Sequence, residues 1–462
     1  MRASILSCAG ARAPRNPKRW RARERSRIGS CLRYVALGFT TALAGVATLP
    51  VYAQQATQLA TGIVTGAVSC TPSNNGTAHL VCAQYSTAGA VIGTSWQTLP
   101  GGLGNTAGVE PRGQVDPPLT LTPAGMTLRG PPACAQLPVN DPKTAPNGTA
   151  AGCLVISSNG VNDVLQGIAF YPPTQFVTPF MTLDNTSVPA TANISAATCF
   201  TGNFAGNTAN AAVLCVLVIN DRLNVIGFNP QANTVSLLQP LSLGNGFIGA
   251  PSCAGGQGNV GICAVRQGAG LLGFALNIGG TLNAVQGMQL GAGSYLGDPG
   301  CAVPGNDLNP DGTLTAICAI VSGGVLLGIS FDPQQPGVAP AVQSLGAAED
   351  GGSWTGAVAC TPFSDVRAAK ANLGASMISC GAVSSTSNLF DVTFDPRTNI
   401  KRGLNGPFGS GANGKPSCIN LFFDFDVIDC GSTTTAGTSS GFRLPVGLLP
   451  AANFAPIVAV LH

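Results

Sequence analysis

Gly249-Ala250-Pro251-Ser252-Cys253, followed by Gly261-Ile262-Cys263-Ala264-Val265, is the stretch on which the fold turns. A glycine stands four residues before a cysteine, and a short loop leads to a second cysteine inside an apolar run. The same script is written seven times, with pairs Cys70/Cys82, Cys134/Cys153, Cys199/Cys215, Cys253/Cys263, Cys301/Cys318, Cys360/Cys380 and Cys418/Cys430. Successive first cysteines lie 64, 65, 54, 48, 59 and 58 residues apart. A period of roughly fifty residues marks a propeller or a related repeat architecture. The leading glycine is Gly66, Gly130, Gly249, Gly297, Gly356 and Gly414, and the third unit has Ser195 there.

Each unit reads as four strands. Apolar runs bounded by glycine, such as Ile262-Cys263-Ala264-Val265 and Ile317-Cys318-Ala319-Ile320, supply the second. The third ends in a recurring proline, as in Gly328-Ile329-Ser330-Phe331-Asp332-Pro333, Asp391-Val392-Thr393-Phe394-Asp395-Pro396 and Gly227-Phe228-Asn229-Pro230. Proline cannot donate to a ladder, so it stops the strand and opens a turn. Val285 to Gly291 and Val342 to Gly346 read as fourth strands. The expected fold is therefore all-β: a seven-bladed β-propeller of four-stranded antiparallel blades, repeats beginning near residues 66, 130, 195, 249, 297, 356 and 414. Gln58-Leu59 precedes Cys70 as Gln289-Leu290 precedes Cys301, so the start of the domain resembles a fourth strand without its own blade. It pairs with the last unit to close the ring, or Phe454 to Val460 does so instead.

The cysteines are expected as one intra-blade disulfide per unit, spanning the hairpin of the first two strands. Closing loops of that size contributes ~2–4 kcal/mol in the chain-entropy model. Metal binding by these pairs is disfavoured because the spacing varies and histidine is nearly absent, with only His79 and His462.

Residues 1–53 read as a signal peptide. Ten basic side chains from Arg2 to Arg33 precede an apolar run from Tyr34 to Leu49, and Val51-Tyr52-Ala53 has the small residues of a cleavage site after Ala53. Cys8 and Cys31 leave with it, so residues 54–462 keep an even cysteine count suited to an oxidising compartment. The leader takes ten basic residues and one acid out of 22 and 19, which leaves the remainder near −6. No basic patch is left for nucleic acid, and no membrane span is expected after cleavage. Localisation is expected to be periplasmic or extracellular.

No catalytic constellation is visible, and the expectation is a binding protein rather than an enzyme. Asp424, Asp426 and Asp429 are the densest acids, and alternation along a strand puts Asp424 and Asp426 in one solvent-facing row. Asp307-Leu308-Asn309-Pro310-Asp311-Gly312 has the oxygen spacing of the start of a calcium loop, making Asp307, Asn309 and Asp311 the one candidate metal site. Thr315 and Cys318 stand where later ligands belong, so no cofactor is expected and a polar turn is the reading. Trp96 and Trp354, the only tryptophans outside the leader, are the candidate ligand platforms. Loops between paired cysteines differ most in length, Thr361–Ser379 being the longest, and are the expected contact face.

The units resemble those of the bacterial seven-bladed propeller lectins of the fucose-binding PLL type. Pro251-Ser252-Cys253, Cys263-Ala264-Val265 and Trp96-Gln97-Thr98-Leu99 match that repeat's first strand, second strand and close, and the likeness runs from Thr57 to the C-terminus. It implies carbohydrate binding or adhesion, with sugars held between blades against aromatic residues. Trp96 keeps the matching place, whereas Met288 and Val342 stand at others. The expected partner is a glycan or a cell-surface protein, with a protein-interaction scaffold of the cell envelope as the alternative and a glycoside hydrolase third.

Overall fold

The computed structural model describes residues 57–60, 64–74, 78–97, 114–138, 149–183, 188–189, 194–202, 212–236, 238–255, 260–277, 283–304, 315–364, 376–419 and 427–445. The chain divides into two units, Met1–Tyr52 and Ala53–His462, and all described residues belong to the second. The expected leader therefore lies outside them. Among the described residues no helix is long and apolar enough to cross a membrane.

The second unit is an all-β propeller of four-stranded antiparallel blades. In every repeat the first two strands form a hairpin, as with Phe247–Gly255 on Val260–Gln267, and Gly270–Asn277 and Asn283–Ala292 follow in order. First strands pack on one another in cyclic order. Val64–Asn74 is followed by Ala133–Pro138, Thr198–Gly202, Phe247–Gly255, Tyr295–Ala302, Trp354–Ser364 and Ala412–Ile419, which returns to the first. Thr57–Ala60 pairs antiparallel with Ser439–Pro445, with Thr57 opposite Gly441. The N-terminal strand thus completes the C-terminal sheet. Residues 454–460 lie outside the described residues.

Paired cysteines sit directly opposite each other in the hairpins. Disulfides join Cys70–Cys82, Cys134–Cys153, Cys199–Cys215, Cys253–Cys263, Cys301–Cys318, Cys360–Cys380 and Cys418–Cys430, with Cα atoms 4.0 to 4.1 Å apart. That is the close, non-hydrogen-bonded kind of antiparallel pair, where side chains approach nearest.

Such a pair has a cost. The backbone N–H of the first cysteine points away from its partner strand, and a buried N–H needs an acceptor. For four of the first cysteines a hydroxyl of the preceding unit supplies one. Cys134 N donates to Ser69 Oγ at 2.8 Å, Cys301 N to Ser252 Oγ at 2.9 Å, and Cys253 N to Thr198 Oγ1 at 3.5 Å. Cys70 N donates to Ser417 Oγ at 2.9 Å, carrying the same bond across the closure between the two ends of the ring. Each acceptor is the residue just before the first cysteine of its own unit.

Glycines at the fourth place before the cysteine explain the bend of the first strand. Gly66, Gly249, Gly297, Gly356 and Gly414 have φ between 72° and 85°, and the hairpin register shifts beside each of them. A glycine in the left-handed region is the usual seed of a β-bulge. Gly130 is absent from the positive-φ residues, and there the strand breaks instead into Thr127–Leu128 and Ala133–Pro138. In the third unit, with Ser195, an isolated Ile194–Ile219 bridge precedes Thr198–Gly202.

The Phe-Asx-Pro signature has two roles. Asn229, Asp332 and Asp395 each accept a backbone N–H two residues on through Oδ1, at 2.9 to 3.0 Å, which shapes the turn. The phenylalanine fills the seam with the preceding unit. Phe170 lies over Gly93, Phe228 over Gly167, Phe331 over Gly273 and Phe394 over Gly328, so closely that a Cβ on any of these glycines would strike the ring. All four rings are buried. In the fourth unit Leu276 takes the phenylalanine's place, and the preceding unit has Val225 where the glycine would be; both are in one core cluster. Ring size and the facing residue change together, as close packing requires.

One expectation changes. Seven separate sheets were anticipated, and the described strands form six, because Tyr295–Ala302 and Trp354–Ser364 belong to a single eight-stranded sheet. Their link is one parallel bridge, Asp298 to Ala357. Gly300 replaces the hydroxyl residue at this seam, and Gly297 faces Gly356 with no side chain on either. A Cβ on Gly300 would lie 2.9 Å from Val358 O, so the backbones approach closely enough to bond directly.

Candidate functional site

Trp354 is not a platform. It is 2% exposed, its Nε1 donates to Gly346 O at 3.0 Å, and its ring meets Phe390 edge-on with centroids 5.5 Å apart. Six residues before Cys360, it occupies the place that Val64, Leu128 and Phe247 occupy in other units, all of them buried. Trp96 lies in the strand Val91–Gln97 opposite Leu80, and its side chain falls outside the described residues. Asp307, Asn309 and Asp311 lie outside them too, as do Asp424, Asp426 and most of the long inter-cysteine loops. Of the two residues standing at the lectin-like aromatic positions, Met288 is buried and Val342 is 56% exposed.

Several polar groups are tied into the frame. Asp350 receives hydrogen bonds from Gly352 N, Ser384 Oγ, Thr386 Oγ1 and Asn388 Nδ2. Burial alone would raise its pKa, but these four donors outweigh it and hold the carboxyl well below the usual range. Arg129 pairs with the buried Asp163 at 2.7 Å, and Ser379 Oγ donates to the buried Asp391 at 2.5 Å. These groups hold turns and strands in register.

One cluster is different in kind, and sequence reasoning missed it. On the inner strands, the third residue before the first cysteine is alanine or proline in five units, but Asp298 in the fifth and Lys415 in the seventh. Asp298 Oδ1 accepts from Ala250 N at 2.9 Å and stands 3.7 Å from Arg266 Nη2. Lys415 leans past the intervening strand Trp354–Ser364 and donates from Nζ to Pro299 O at 3.1 Å. Lys415 is half-buried. Burial lowers its pKa, and the Asp298 charge opposes that. Aligning the seven cysteines would have exposed both residues as departures from a small-residue column.

No protein-family model matches the chain, and no curated protein matches it. Solved structures do. The chain is similar to the BP39L lectin from Burkholderia pseudomallei, with a TM-score of 0.52 at 13% identity over 83% of this chain and 97% of that one. It is also similar to the GH93 α-L-arabinofuranosidase of Fusarium graminearum (TM-score 0.45, 11% identity, 86% and 98% covered). A third is the NanB sialidase of Streptococcus pneumoniae in its K499G mutant form (TM-score 0.42, 10% identity, 87% and 72% covered). At such identities the likeness concerns the fold alone. The expectation that the chain is not an enzyme does not stand: the solved structures similar to it include a sialidase and an arabinofuranosidase beside a lectin, and a fold alone does not decide activity.

Proposed function

We propose that the chain is an exported, seven-bladed carbohydrate-binding propeller, cleaved after Ala53, with the fucose-binding PLL-type lectins as its functional model. The carrying observation is the fold-wide likeness to the Burkholderia lectin, whose length is covered almost completely. Seven stapled hairpins and a cyclic set of inner strands support the blade count. The disulfides support export to an oxidising compartment. Charged residues make up only 9% of the chain, so its polar surface rests on hydroxyls, amides and backbone, which suit a neutral, hydroxyl-rich ligand. A glycan array including fucosylated structures tests this, with released sugar measured in the same wells. Saturable binding without release supports the lectin reading, sugar release replaces it with a glycosidase, and silence on every glycan defeats it.

A second reading, a protein-interaction scaffold, has its own support. Ile248 and Leu296, at the same repeat position in consecutive units, are 44% and 50% exposed. Ile248→Ser with Leu296→Ser should abolish capture of a protein from cell-surface extracts if that reading holds, and leave glycan binding unchanged.

A further inference from the structure

We propose that the axial end of the fourth, fifth and seventh units is a binding site for one small oxyanion, a carboxylate or a phosphate, held between Arg266 and Lys415. The charges are out of balance there. Two cationic side chains share a single carboxylate, Asp298, whose Oδ1 is already engaged by Ala250 N at 2.9 Å. The Arg266 contact to that oxygen is 3.7 Å, too long for a hydrogen bond. Arg266 Nε is buried and, among the described residues, has no acceptor. A buried guanidinium N–H without an acceptor is a costly arrangement that an incoming oxygen relieves.

Gly249 is what lets the two side chains of the cluster come together, since a Cβ there would lie 2.8 Å from Arg266 Nη2 and would collide with the Asp298 carboxylate. Round the same level the other inner strands carry Ala67, Pro131, Ala196, Ala250 and Ala357, none of which brings a competing charge. Lys415 presents an ammonium with three donors, one of them directed to Pro299 O. Arginine supplies a planar fork and lysine a point charge, the usual pair of donors for a carboxylate or phosphate. The cluster is positive in a domain whose remaining charge is negative, so it draws anions locally, against the overall balance.

The proposal stands apart from the glycan reading, because it concerns the axis and not the grooves between blades. Isothermal titration of the mature protein with inorganic phosphate and, separately, with acetate tests it, chloride holding ionic strength constant. One saturable site for at least one anion is expected, and the stronger of the two identifies the class. Arg266→Gln and Lys415→Met should each weaken binding about tenfold or more, the scale of one charge-assisted hydrogen bond. Asp298→Asn should tighten it several-fold by removing the competing carboxylate, a gain that a purely structural cluster does not produce. Absence of saturable binding by the wild-type protein overturns the proposal, as does an Asp298→Asn variant that is folded by circular dichroism yet binds no better than wild type. The Asp298→Asn arm keeps the test decisive should either cation variant fail to fold.

Discussion

The seam between the fourth and fifth units and the seam between the fifth and sixth solve one problem in two ways. At the first, Ser252 extends a hydroxyl to Cys301 N, and the two sheets remain separate. At the second, Gly300 has no side chain to offer, the strands approach more closely, and Asp298 pairs with Ala357 backbone to backbone. An inner edge strand with outward N–H groups must find acceptors. A side-chain latch keeps blades distinct, and a backbone bridge merges them. At these two seams the residue before the first cysteine, Ser252 or Gly300, goes with the solution found, whereas Ala133 and Ala359 hold that place at seams where no such bridge joins the described strands.

The largest effect is expected from Gly297→Val. It places a β-branched residue at φ 72° and drives a Cβ to 2.5 Å from Gly356 Cα. Left-handed backbone and overpacking together cost roughly 3 kcal/mol or more. Urea titration should show a sharply lowered midpoint, and an unchanged midpoint would mean that the close approach is not needed.

A smaller and more pointed effect separates the two seams. Ser252→Ala removes the acceptor and leaves Cys301 N unsatisfied, at a cost of about 1–3 kcal/mol. Amide hydrogen exchange should speed up at Cys301, while Asp298 and Ala357 keep their protection. Gly300→Ser is the converse: its Cβ would sit 2.9 Å from Val358 O, so it should push the strands apart and expose the Asp298–Ala357 bridge to exchange. Matching exchange profiles for the two variants would erase the distinction between latch and bridge.

The smallest effect concerns the approach to the merged seam, where Asp350 is fastened by Ser384, Thr386 and Asn388 ahead of Trp354. Its folded pKa lies below the unfolded value near 3.9, so its contribution is present above about pH 4 and fades as pH falls further. Because the carboxylate is largely solvated, the contribution is modest. Thermal melts between pH 6 and pH 3 should narrow the gap between wild type and Asp350→Asn toward the acid end, where the unfolded carboxyl takes up a proton and the folded one does not. A constant gap across that range would assign the stabilisation to shape and not to charge.

Much of the frame was legible in the chain because its signals are local. Glycine before cysteine marks the bulge, cysteine spacing marks the hairpin, and Phe-Asx-Pro marks the third strand's end. Gln58-Leu59 pointed to the closing strand through a likeness of spacing alone. Trp354 was misread since its type was weighed without its column: its counterparts Val64, Leu128 and Phe247 are core residues. The merged sheet and the Arg266, Asp298 and Lys415 cluster depend on groups from different units, which meet only when the inner strands come together round the axis. No window along the sequence contains them.

The strand Thr57–Ala60 also sets an order of events in time. Synthesis delivers it before any other strand described here, yet its partner Ser439–Pro445 comes last. Through all the intervening synthesis that edge has no native mate, and a chain halted early never acquires one. Until that partner is made, the segment Thr57–Ala60 lacks its native pairing and is open to proteases and to pairing with its neighbours. In a crowded population the same edge can fasten onto the Ser439–Pro445 strand of another copy, so two molecules could close each other's rings by exchanging this one short segment.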